Sequence, residues 1–397
     1  MDRYETRRRL CDEVRRRAEE NAGEQELQDI IESVVLERKD GFPLKECGEL
    51  IRWLNSRFVY RLGVIQPYIE NEEINEVMVN GIDRIFLEDR RGIYRAPESF
   101  ESEEELEEVI RFIAASVHRE ITEMNPVLDA RLSDGSRVNA VLSNVALDGP
   151  VLTIRKFSRE HISMRQMVSG GMLTAECAEA LRTLVRCGYN VFVSGGTSSG
   201  KTTFLNALAD AIPKEERVII IEDSRELNLE QIPNIVQMEC RNANSVGKGK
   251  ITMEMLIRTS LRMRPDRIIV GEVRGAEVAD MLQAMNTGHS GSMSTGHGNS
   301  VSGMLRRLEA MYLMSANIPM DAIRAQIVEG IDIMVHLVRN ASGARQVMEV
   351  SELTGFEGGE YVLNPLYVRE DAGELRRTSE ELRNRHRLAL GGKANAL

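Results

Sequence analysis

The sequence has few cysteines, and they are widely spaced. The five, which are Cys11, Cys47, Cys177, Cys187 and Cys240, are odd in number, and no two of them form a C-x-x-C pair. A disulfide framework and a zinc site built from closely spaced cysteines are therefore both excluded. The pattern is typical of a reducing compartment.

The sequence also lacks long apolar runs. No stretch approaches the roughly 18 consecutive apolar residues that read as a membrane-spanning helix. The charged first twenty residues have no apolar segment of the kind that a secretory signal requires. We therefore expect no direct membrane span and a cytoplasmic location, so that any position at a membrane depends on partner proteins.

The chain has fewer basic than acidic residues, and it has few aromatic residues. There are 51 lysines and arginines against 62 acidic residues, which gives a net charge of -11, and aromatic residues make up only 5% of the chain. A nucleic-acid surface needs a basic footprint, and single strands also need aromatic rings for base stacking. We therefore expect no nucleic-acid partner.

The length of 397 residues and the hydrophobic content of 42% indicate several domains. Residues 1–60 carry apolar positions at helical spacing and predict a helical bundle, and residues 61–157 alternate hairpin and helix signals and predict an α+β domain. Few strand signals mark 158–172, which we interpret as a linker. Alternating apolar strands and amphipathic helices over 173–370 predict an α/β domain with a mainly parallel sheet covered on both faces. Residues 371–397 predict a charged helix ending in a disordered tail.

A turn signal in the α+β domain lies at Asp134 and Gly135, between Arg131 and Arg137. A three-residue loop would pair the two arginines on one face of the hairpin, whereas a two-residue loop would place them on opposite faces. The sequence leaves these alternatives open.

The segment GGTSSGKT follows an apolar strand signal and opens a helix, and it fits the phosphate-binding pattern G-x-x-x-x-G-K-[ST]. Its glycines allow backbone N–H groups to turn inward, and the helix N-terminus adds partial positive charge. Lys201 would bind the β- and γ-phosphates of ATP, and the Thr202 hydroxyl would ligate Mg²⁺. The predicted nucleotide-binding residues are Gly195, Gly196, Thr197, Ser198, Ser199, Gly200, Lys201, Thr202 and Thr203.

ATP hydrolysis also needs carboxylates, and two apolar strand signals end in them. RIIVGE ends in Glu272, with Gly271 where a metal-binding aspartate is usual, and RVIIIED is followed by further acids. Ligands of open α/β sheets bind at this carboxyl edge. We therefore predict that Glu272 and Glu226 are catalytic, and that the metal is held by Thr202, Glu222 and Asp223.

The run TGHSGSMSTGHGNS contains His289 and His297. Two histidines without a third ligand make a weak metal site. We interpret them as hydrogen-bonding groups near the γ-phosphate, with buried and internally satisfied histidines as the alternative. His336, within an alternating strand signal, is interpreted as an outward-facing strand residue.

Four ordered segments resemble the Walker A, Asp box, Walker B and His box of the bacterial type II/type IV secretion ATPase superfamily. They are GGTSSGKTT, IIIEDSREL, LRMRPDRIIVGEVRG and TGHSGSMSTGHGNS. The earlier pieces EINEVMVNGIDRIFLE, LDARLSDGSRVNAV and LTIRKF look like those of CpaF-type ATPases of tight-adherence (Tad/Flp) pili. The resemblance covers residues 60–365, and the missing four-cysteine zinc motif also favours the Tad-like branch.

The resemblance implies a RecA-like C-terminal P-loop domain, an N-terminal domain on a flexible linker, and ATP bound between them. It implies a homohexamer that hydrolyses Mg-ATP and moves an inner-membrane platform protein, which inserts or extracts pilin subunits. Such an ATPase would lie peripherally at the inner face of the cytoplasmic membrane.

Matched position by position, the resemblance assigns Lys201 and Thr202 to Walker A, Glu272 to Walker B, and His289 and His297 to the His box. The residues that it assigns to the Asp box are Glu222, Asp223 and Glu226. The arginines that would reach the phosphates from the N-terminal domain are Arg131, Arg137 and Arg155, with Arg262 and Arg264 as further candidates.

Three other functions share these motifs. A type IV secretion traffic ATPase is one alternative to the pilus motor. A RecA-like nucleic-acid motor is disfavoured by the acidic balance and the scarcity of aromatic residues. A nucleotide-binding ring with little turnover is supported by Gly271 in place of the metal-binding aspartate.

Overall fold

The computed structural model describes residues 3–18, 23–37, 43–89, 91–157, 162–229, 231–241, 249–316, 318–340, 342–370 and 373–390. By its internal contacts the chain divides into two compact units, Met1–Ser158 and Arg159–Leu397. Each unit has its own β-sheet and hydrophobic core. No helix in these described ranges is long and apolar enough to cross a membrane.

The first unit begins with three helices, α1 (Arg3–Arg17), α2 (Glu24–Leu36) and α3 (Leu44–Phe58). Their apolar side chains recur about one turn apart, so that each helix has one apolar stripe. The stripes form a common core in which Leu10, Val14, Ile31, Val34 and Leu54 have no exposed surface.

The remainder of the first unit is a six-stranded antiparallel sheet with helices beside it. A single 3-10 turn (Gly63–Ile65) leads into α4 (Gln66–Glu70), and α5 (Glu103–Ser116) packs on the sheet through Leu106 and Ile110. The strands are β1 (Glu76–Asn80), β2 (Ile85–Asp89), β3 (Gly92–Arg95), β4 (Val127–Arg131), β5 (Arg137–Val141) and β6 (Val151–Arg155). Their order is β3-β2-β1-β6-β5-β4.

The register of this sheet settles the arrangement of the arginines. Leu132 N–H donates to Ser136 O at 2.9 Å, which leaves a three-residue loop and places Arg131 directly opposite Arg137. Arg137 is in turn opposite Arg155. Directly opposed residues of antiparallel strands share a face, so the three side chains form one row. We call this the arginine row.

The second unit contains a nine-stranded sheet in the order β15-β14-β13-β12-β7-β11-β10-β8-β9. Its strands are β7 (Val191–Gly195), β8 (Val218–Glu222), β9 (Ile235–Glu239), β10 (Arg267–Val273), β11 (Met293–His297), β12 (Ile333–Arg339), β13 (Arg345–Glu357), β14 (Glu360–Arg369) and β15 (Leu375–Arg377). Neighbours from β12 through β9 are parallel, and those from β12 through β15 are antiparallel. The predicted mainly parallel α/β fold is confirmed.

Helices cover both faces of this sheet. Val191 and Val193 of β7 contribute to one core, whereas Phe192 between them contributes to the other, as strand alternation requires. The helices are α6 (Met164–Ser169), α7 (Ala175–Arg186), α8 (Lys201–Ala209), α9 (Met253–Ser260), α10 (Glu277–Asn286), α11 (Val301–Leu313), α12 (Met320–Gly330) and α13 (His386–Leu390).

The segment interpreted as a linker is largely structured. Ser163 and Gln166 form a capping box at the start of α6. Met164, Met167 and Met172 are buried in the core of the second unit, because their side chains provide apolar surface that the strand patterns did not reveal. Residues 158–161 of the predicted linker lie outside the described residues.

The prediction of a charged C-terminal helix is wrong for most of its length. Leu375–Arg377 instead forms β15, and Leu382 and Leu388 are buried in the core of the second unit. The buried carboxylate of Glu352 accepts hydrogen bonds from the backbone N–H groups of Arg383 and Asn384, at 2.8 and 2.7 Å. Widely spaced leucines therefore anchor this segment, most of its charged residues face outward, and Arg387 pairs with the buried Asp332. The predicted disorder of 391–397 lies outside the described residues.

The long β13–β14 hairpin turns at Gly358 and Gly359. Both have left-handed φ values, 59° and 88°, which glycine adopts without strain. No other atom lies within 4 Å of where a side chain would begin at either position. The turn therefore projects into open space.

Candidate active site

The loop predicted to bind phosphate connects β7 to α8 at the carboxyl edge of the parallel sheet. Gly200 ends the loop with φ 89°, and Ser198 also has a left-handed φ of 58°. A Cβ atom on Gly195 would lie 2.5 Å from both Leu337 O and Ser199 Oγ, so only glycine fits there. The Ser199 hydroxyl is buried and has no hydrogen-bond partner in the described part of the chain.

Lys201 is the first residue of α8, and its side chain lies inside this loop. It is only 8% exposed. Its Nζ donates to Gly195 O at 3.2 Å and to Gly196 O at 3.0 Å. Burial lowers the pKa of Lys201, while Glu272 nearby acts in the opposite direction. The loop thus holds a desolvated positive charge whose partners are mainly neutral carbonyl groups.

His297 connects Lys201 to Glu272. Because β11 runs parallel to β7, His297 lies opposite Gly195 in the register. Its Nδ1 is 3.2 Å from Lys201 Nζ, and its Nε2 is 2.8 Å from Glu272 Oε1. A ring protonated at Nε2 accepts from the lysine at Nδ1, whereas the short Nε2–Oε1 contact lacks the geometry of a hydrogen bond, and Glu272 Oε1 has no hydrogen-bond partner among the described residues.

The charge state of His297 fits this assignment. Burial is the largest influence and lowers its pKa, and the positive charges of Lys201, Arg274 and Arg307 act in the same direction. Glu272 opposes them. The ring is therefore neutral at neutral pH, and one neutral imidazole joins the buried ammonium to the carboxylate.

Arg274 is a site residue that the sequence reasoning missed. Its Nε and Nη2 lie 2.9 and 2.6 Å from Glu272 Oε2, and its Nη1 is 3.4 Å from Asp223 Oδ2. Arg274 thus holds Oε2 of Glu272, whereas the buried Oε1 lies beside His297 without a hydrogen-bond partner in the described part of the chain. The available signal was an arginine two positions after Glu272 in GEVRG.

The acidic residues after β8 differ in their surroundings. Glu222 is 4% exposed, and its Oε1 accepts from the backbone N–H groups of Glu226 at 2.9 Å and Leu227 at 3.0 Å. A Cβ on Gly271 would lie 2.9 Å from Glu222 Cγ, so Glu222 fills the space of a side chain at 271. Asp223 and Glu226 are exposed. Glu222 therefore fixes the loop that carries the other two acids.

Arg345 also contacts the phosphate-binding loop and was not predicted. Its Nε donates to Ser198 O at 3.3 Å, and its Cδ lies 2.9 Å from where Gly200 would carry a side chain. The contact joins residues 147 positions apart. Only the adjacency of β12 to β7, with β13 following by a hairpin, brings Arg345 there.

His336 is not an outward-facing residue, as the sequence had suggested. It is 6% exposed, and its Nδ1 is 2.9 Å from Ser194 Oγ on the adjacent strand β7. Burial lowers its pKa. The prediction failed because β12 is internal to the sheet and both of its faces are covered.

Three predicted residues lie at the opposite edge of the sheet. His289 precedes β11, and its Nδ1 is 3.1 Å from Ala284 O. Arg262 and Arg264 precede β10. Five strand residues span about 17 Å, so within one chain these side chains lie far from Lys201. Within one chain they do not join the contacts around Lys201, and their assignment near the γ-phosphate stays a prediction.

The structure gathers most of the other predicted residues. Lys201, Glu272 and His297 are in direct contact at the carboxyl edge, with Asp223 linked to them through Arg274. Thr202 and Thr203 follow Lys201 in the first turn of α8. The arginine row belongs to the first unit. No cluster of three or more metal-binding side chains occurs in the described ranges.

Comparison with known proteins identifies the family. The model for type II/IV secretion system proteins matches residues 60–367, so the chain belongs to that family. A putative conjugal transfer protein of Mycobacterium tuberculosis is 32% identical over 302 residues, which cover 75% of this chain and 85% of that protein. Type IV secretion system protein PtlH of Bordetella pertussis is 33% identical over 312 residues, covering 72% and 92%.

A solved structure supports the fold. The pilus retraction motor PilT with bound ADP matches with a TM-score of 0.55 and 20% identity, covering 83% of this chain and 86% of that one. At this identity the likeness concerns the fold alone. It agrees with the mainly parallel α/β fold of the second unit and with the RecA-like domain that the resemblance implies.

Proposed function

We propose that this protein is an ATPase motor that hydrolyses Mg-ATP to power the insertion or extraction of pilin subunits in a tight-adherence (Tad/Flp) pilus. The observation that carries the proposal is the contact chain from Lys201 through His297 to Glu272. It places a phosphate-binding cation and a carboxylate within one imidazole of each other, at the sheet edge where nucleotides bind.

The loop fits a polyphosphate. Ser199 Oγ is buried without a partner among the described residues, and the carbonyl contacts of Lys201 can be exchanged for phosphate oxygens. The backbone of 195–200 and the N-terminus of α8 add N–H groups that favour negative charge. Residues 195–203 would therefore hold the triphosphate, with Lys201 at its β- and γ-phosphates.

Glu272 is the proposed residue that orients the attacking water. It lies at the carboxyl end of β10, where Arg274 holds its Oε2 and where its Oε1, beside His297, has no hydrogen-bond partner among the described residues. Thr202 would hold Mg²⁺, which neutralises charge on the phosphates. Asp223 and Glu226 can add water-mediated support, whereas Glu222 is already committed to backbone N–H groups.

The arginine row gives the first unit a part in catalysis. Three guanidinium groups on neighbouring strands concentrate positive charge on one sheet face. We propose that they approach the phosphates when nucleotide binds, so that closure of the two units is coupled to hydrolysis. Arg131, Arg137 and Arg155 would then stabilise charge that develops in the transition state.

We further propose that the motor is a homohexamer, peripheral at the inner face of the cytoplasmic membrane through inner-membrane platform proteins. This assembly is what the resemblance to the secretion ATPases implies, and it rests on the chain's membership of that family. A type IV secretion traffic ATPase is the second candidate function, and the names of the conjugal transfer and secretion relatives favour it.

The test is phosphate release from Mg-ATP by the purified full chain, with assembly recorded by light scattering. Glu272→Gln should bind ATP but release phosphate at least about a hundredfold more slowly. Lys201→Ala should lose both binding and turnover. A wild-type protein that binds ATP yet turns over no faster than Glu272→Gln, even with membranes that contain platform proteins, would contradict the motor.

A further inference from the structure

The first unit contains a half-open cavity of about 480 Å³ between its N-terminal helices and α5, and the charged residues at its rim, Arg15, Arg61 and Glu108, are exposed. This volume lies within the range of about 300–1,000 Å³ that is usual for small-molecule sites. The lining combines arginine, glutamate and aromatic side chains, among them Arg15, Arg57, Arg61, Glu108, Phe58 and Phe112. None of these residues belongs to the site in the second unit.

Two charged residues of the cavity lining, Arg57 and Glu105, already form an ion pair with each other. Arg57 Nη1 lies 2.9 Å from Glu105 Oε1, and Glu105 is 6% exposed. The other oxygen of Glu105 accepts from the backbone N–H of Glu101 at 2.8 Å. Burial raises the pKa of Glu105, while Arg57 acts against that rise. This pair stabilises the cavity wall and leaves the remaining charges for a ligand.

Two further cations line the cavity without a close carboxylate. Arg15 is 58% exposed, and the carboxylate recorded beside it, Asp12, is 3.9 Å away. Arg61 has no ion pair among the described residues, and its guanidinium carbon lies 5.6 Å from the ring centre of Phe112. Arg61 also has a φ of 60°, which side-chain-bearing residues seldom adopt. Both guanidinium groups can bind phosphate oxygens.

The other lining groups suit a planar base. Phe58 and Phe112 provide aromatic surface, and a guanidinium over a ring stacks on flat groups. Glu108 has no ion-pair partner in the described part of the chain, and its carboxylate can accept hydrogen bonds from the amino group of a purine. Two carboxylates in the lining disfavour a polyphosphate by repulsion. We propose that this cavity binds a purine nucleoside monophosphate.

The chain contains a built-in reporter for this test. Trp53, its single tryptophan, lies on α3 one turn before Arg57, whose guanidinium carbon is 5.9 Å from the ring centre. The full chain is titrated separately with AMP and GMP while Trp53 fluorescence is recorded. We expect a saturable change with at least one of them, and at least about tenfold weaker binding of adenosine and of ribose 5-phosphate, which lack the phosphate or the base.

Variants separate this cavity from the phosphate-binding loop. Arg61→Ala and Glu108→Gln should each raise the dissociation constant at least about fivefold, and either one suffices if the other fails to fold. Arg111→Ala is the matched control, because Arg111 lies on α5 but pairs with Glu107 at 2.8 Å and does not line the cavity. Lys201→Ala should keep the Trp53 response, since that residue belongs to the second unit.

Two results would overturn the proposal. One is the absence of a saturable Trp53 response to both nucleotides at millimolar concentration. The other is a response that disappears in Lys201→Ala but persists in folded Arg61→Ala and Glu108→Gln, which would assign the binding to the phosphate-binding loop. Neither result bears on hydrolysis of ATP by the second unit, so the two proposals fail independently.

Discussion

At the scale of single residues, the site is defined by how Glu272 is held. A carboxylate free to rotate would adopt several orientations, whereas Arg274 holds one oxygen of Glu272 through two hydrogen bonds and His297 lies 2.8 Å from the other. Charge-assisted hydrogen bonds of this kind are stronger than neutral ones. The pair therefore fixes the direction in which Glu272 presents its charge.

Arg274→Ala should slow ATP hydrolysis by about tenfold to a hundredfold with little change in KM. This corresponds to the roughly 1.5–3 kcal/mol of a charged hydrogen bond, lost from the positioning of Glu272 rather than from nucleotide binding. Steady-state kinetics measures kcat and KM separately.

Arg258→Ala is the control for this experiment. Arg258 is also largely exposed and pairs with Asp280 at 2.8 Å, but it lies on α9, away from the phosphate-binding loop. Unchanged kcat in Arg274→Ala, or an equal loss in both variants, would show that Arg274 does not position Glu272.

At the scale of elements, the sequence predicted best where strands are apolar. The runs VIIIE and RIIVGEV form β8 and β10 as expected, because buried parallel strands need apolar side chains on both faces. β11 was not predicted, since MSTGH is built from small and polar residues. It is buried nevertheless, with Thr295 Oγ1 donating to Gly271 O at 2.7 Å.

Some site residues could likewise be predicted from the sequence, and others could not. Lys201 and Glu272 could be predicted because a local motif and a strand end identify them. Arg345 could not, because its position beside Ser198 depends on which strands are neighbours. The separation of His289 from His297 could not be predicted either, because sequence order does not show that β11 carries His297 to the opposite edge of the sheet.

The C-terminal segment should be part of the cooperative core of the second unit. Leu388 has no exposed surface, so Leu388→Ala should lower the free energy of unfolding by about 2–5 kcal/mol through lost burial and the cavity left behind. Urea denaturation measures this change.

Met314→Ala is the comparison in the same unit, because Met314 is 69% exposed and should change stability by no more than about 0.5 kcal/mol. Equal stabilities of Leu388→Ala and wild type would mean that the segment does not belong to the core.

At the scale of the whole molecule, the charged groups proposed to act in catalysis belong to two separate units. The second unit holds Glu272 and the loop proposed to bind nucleotide, and the first holds the arginine row. If catalysis needs both, damage to the first unit should slow hydrolysis without removing the nucleotide-binding groups.

Arg137→Ala removes the central member of the arginine row. We expect kcat to fall at least about tenfold while ATP affinity changes little, because the lost charge acts mainly on the transition state. Phosphate release and nucleotide titration measure the two quantities.

Arg84→Ala is the matched variant in the same unit, since Arg84 pairs with Asp148 at 3.2 Å and lies outside the row. Full activity in Arg137→Ala would remove the arginine row from the proposed mechanism.

The glycine turn at Gly358 and Gly359 is a suitable position for inserting a peptide label. A short epitope or a dye-binding peptide inserted there has open space beyond both glycines, with Arg306 as the neighbouring side chain, and keeps the β13–β14 pairing on either side. The turn also lies away from the phosphate-binding loop, because β13 contacts that loop through Arg345 at its other end. A fluorescent label at this point could therefore follow the protein in living cells without blocking its nucleotide site.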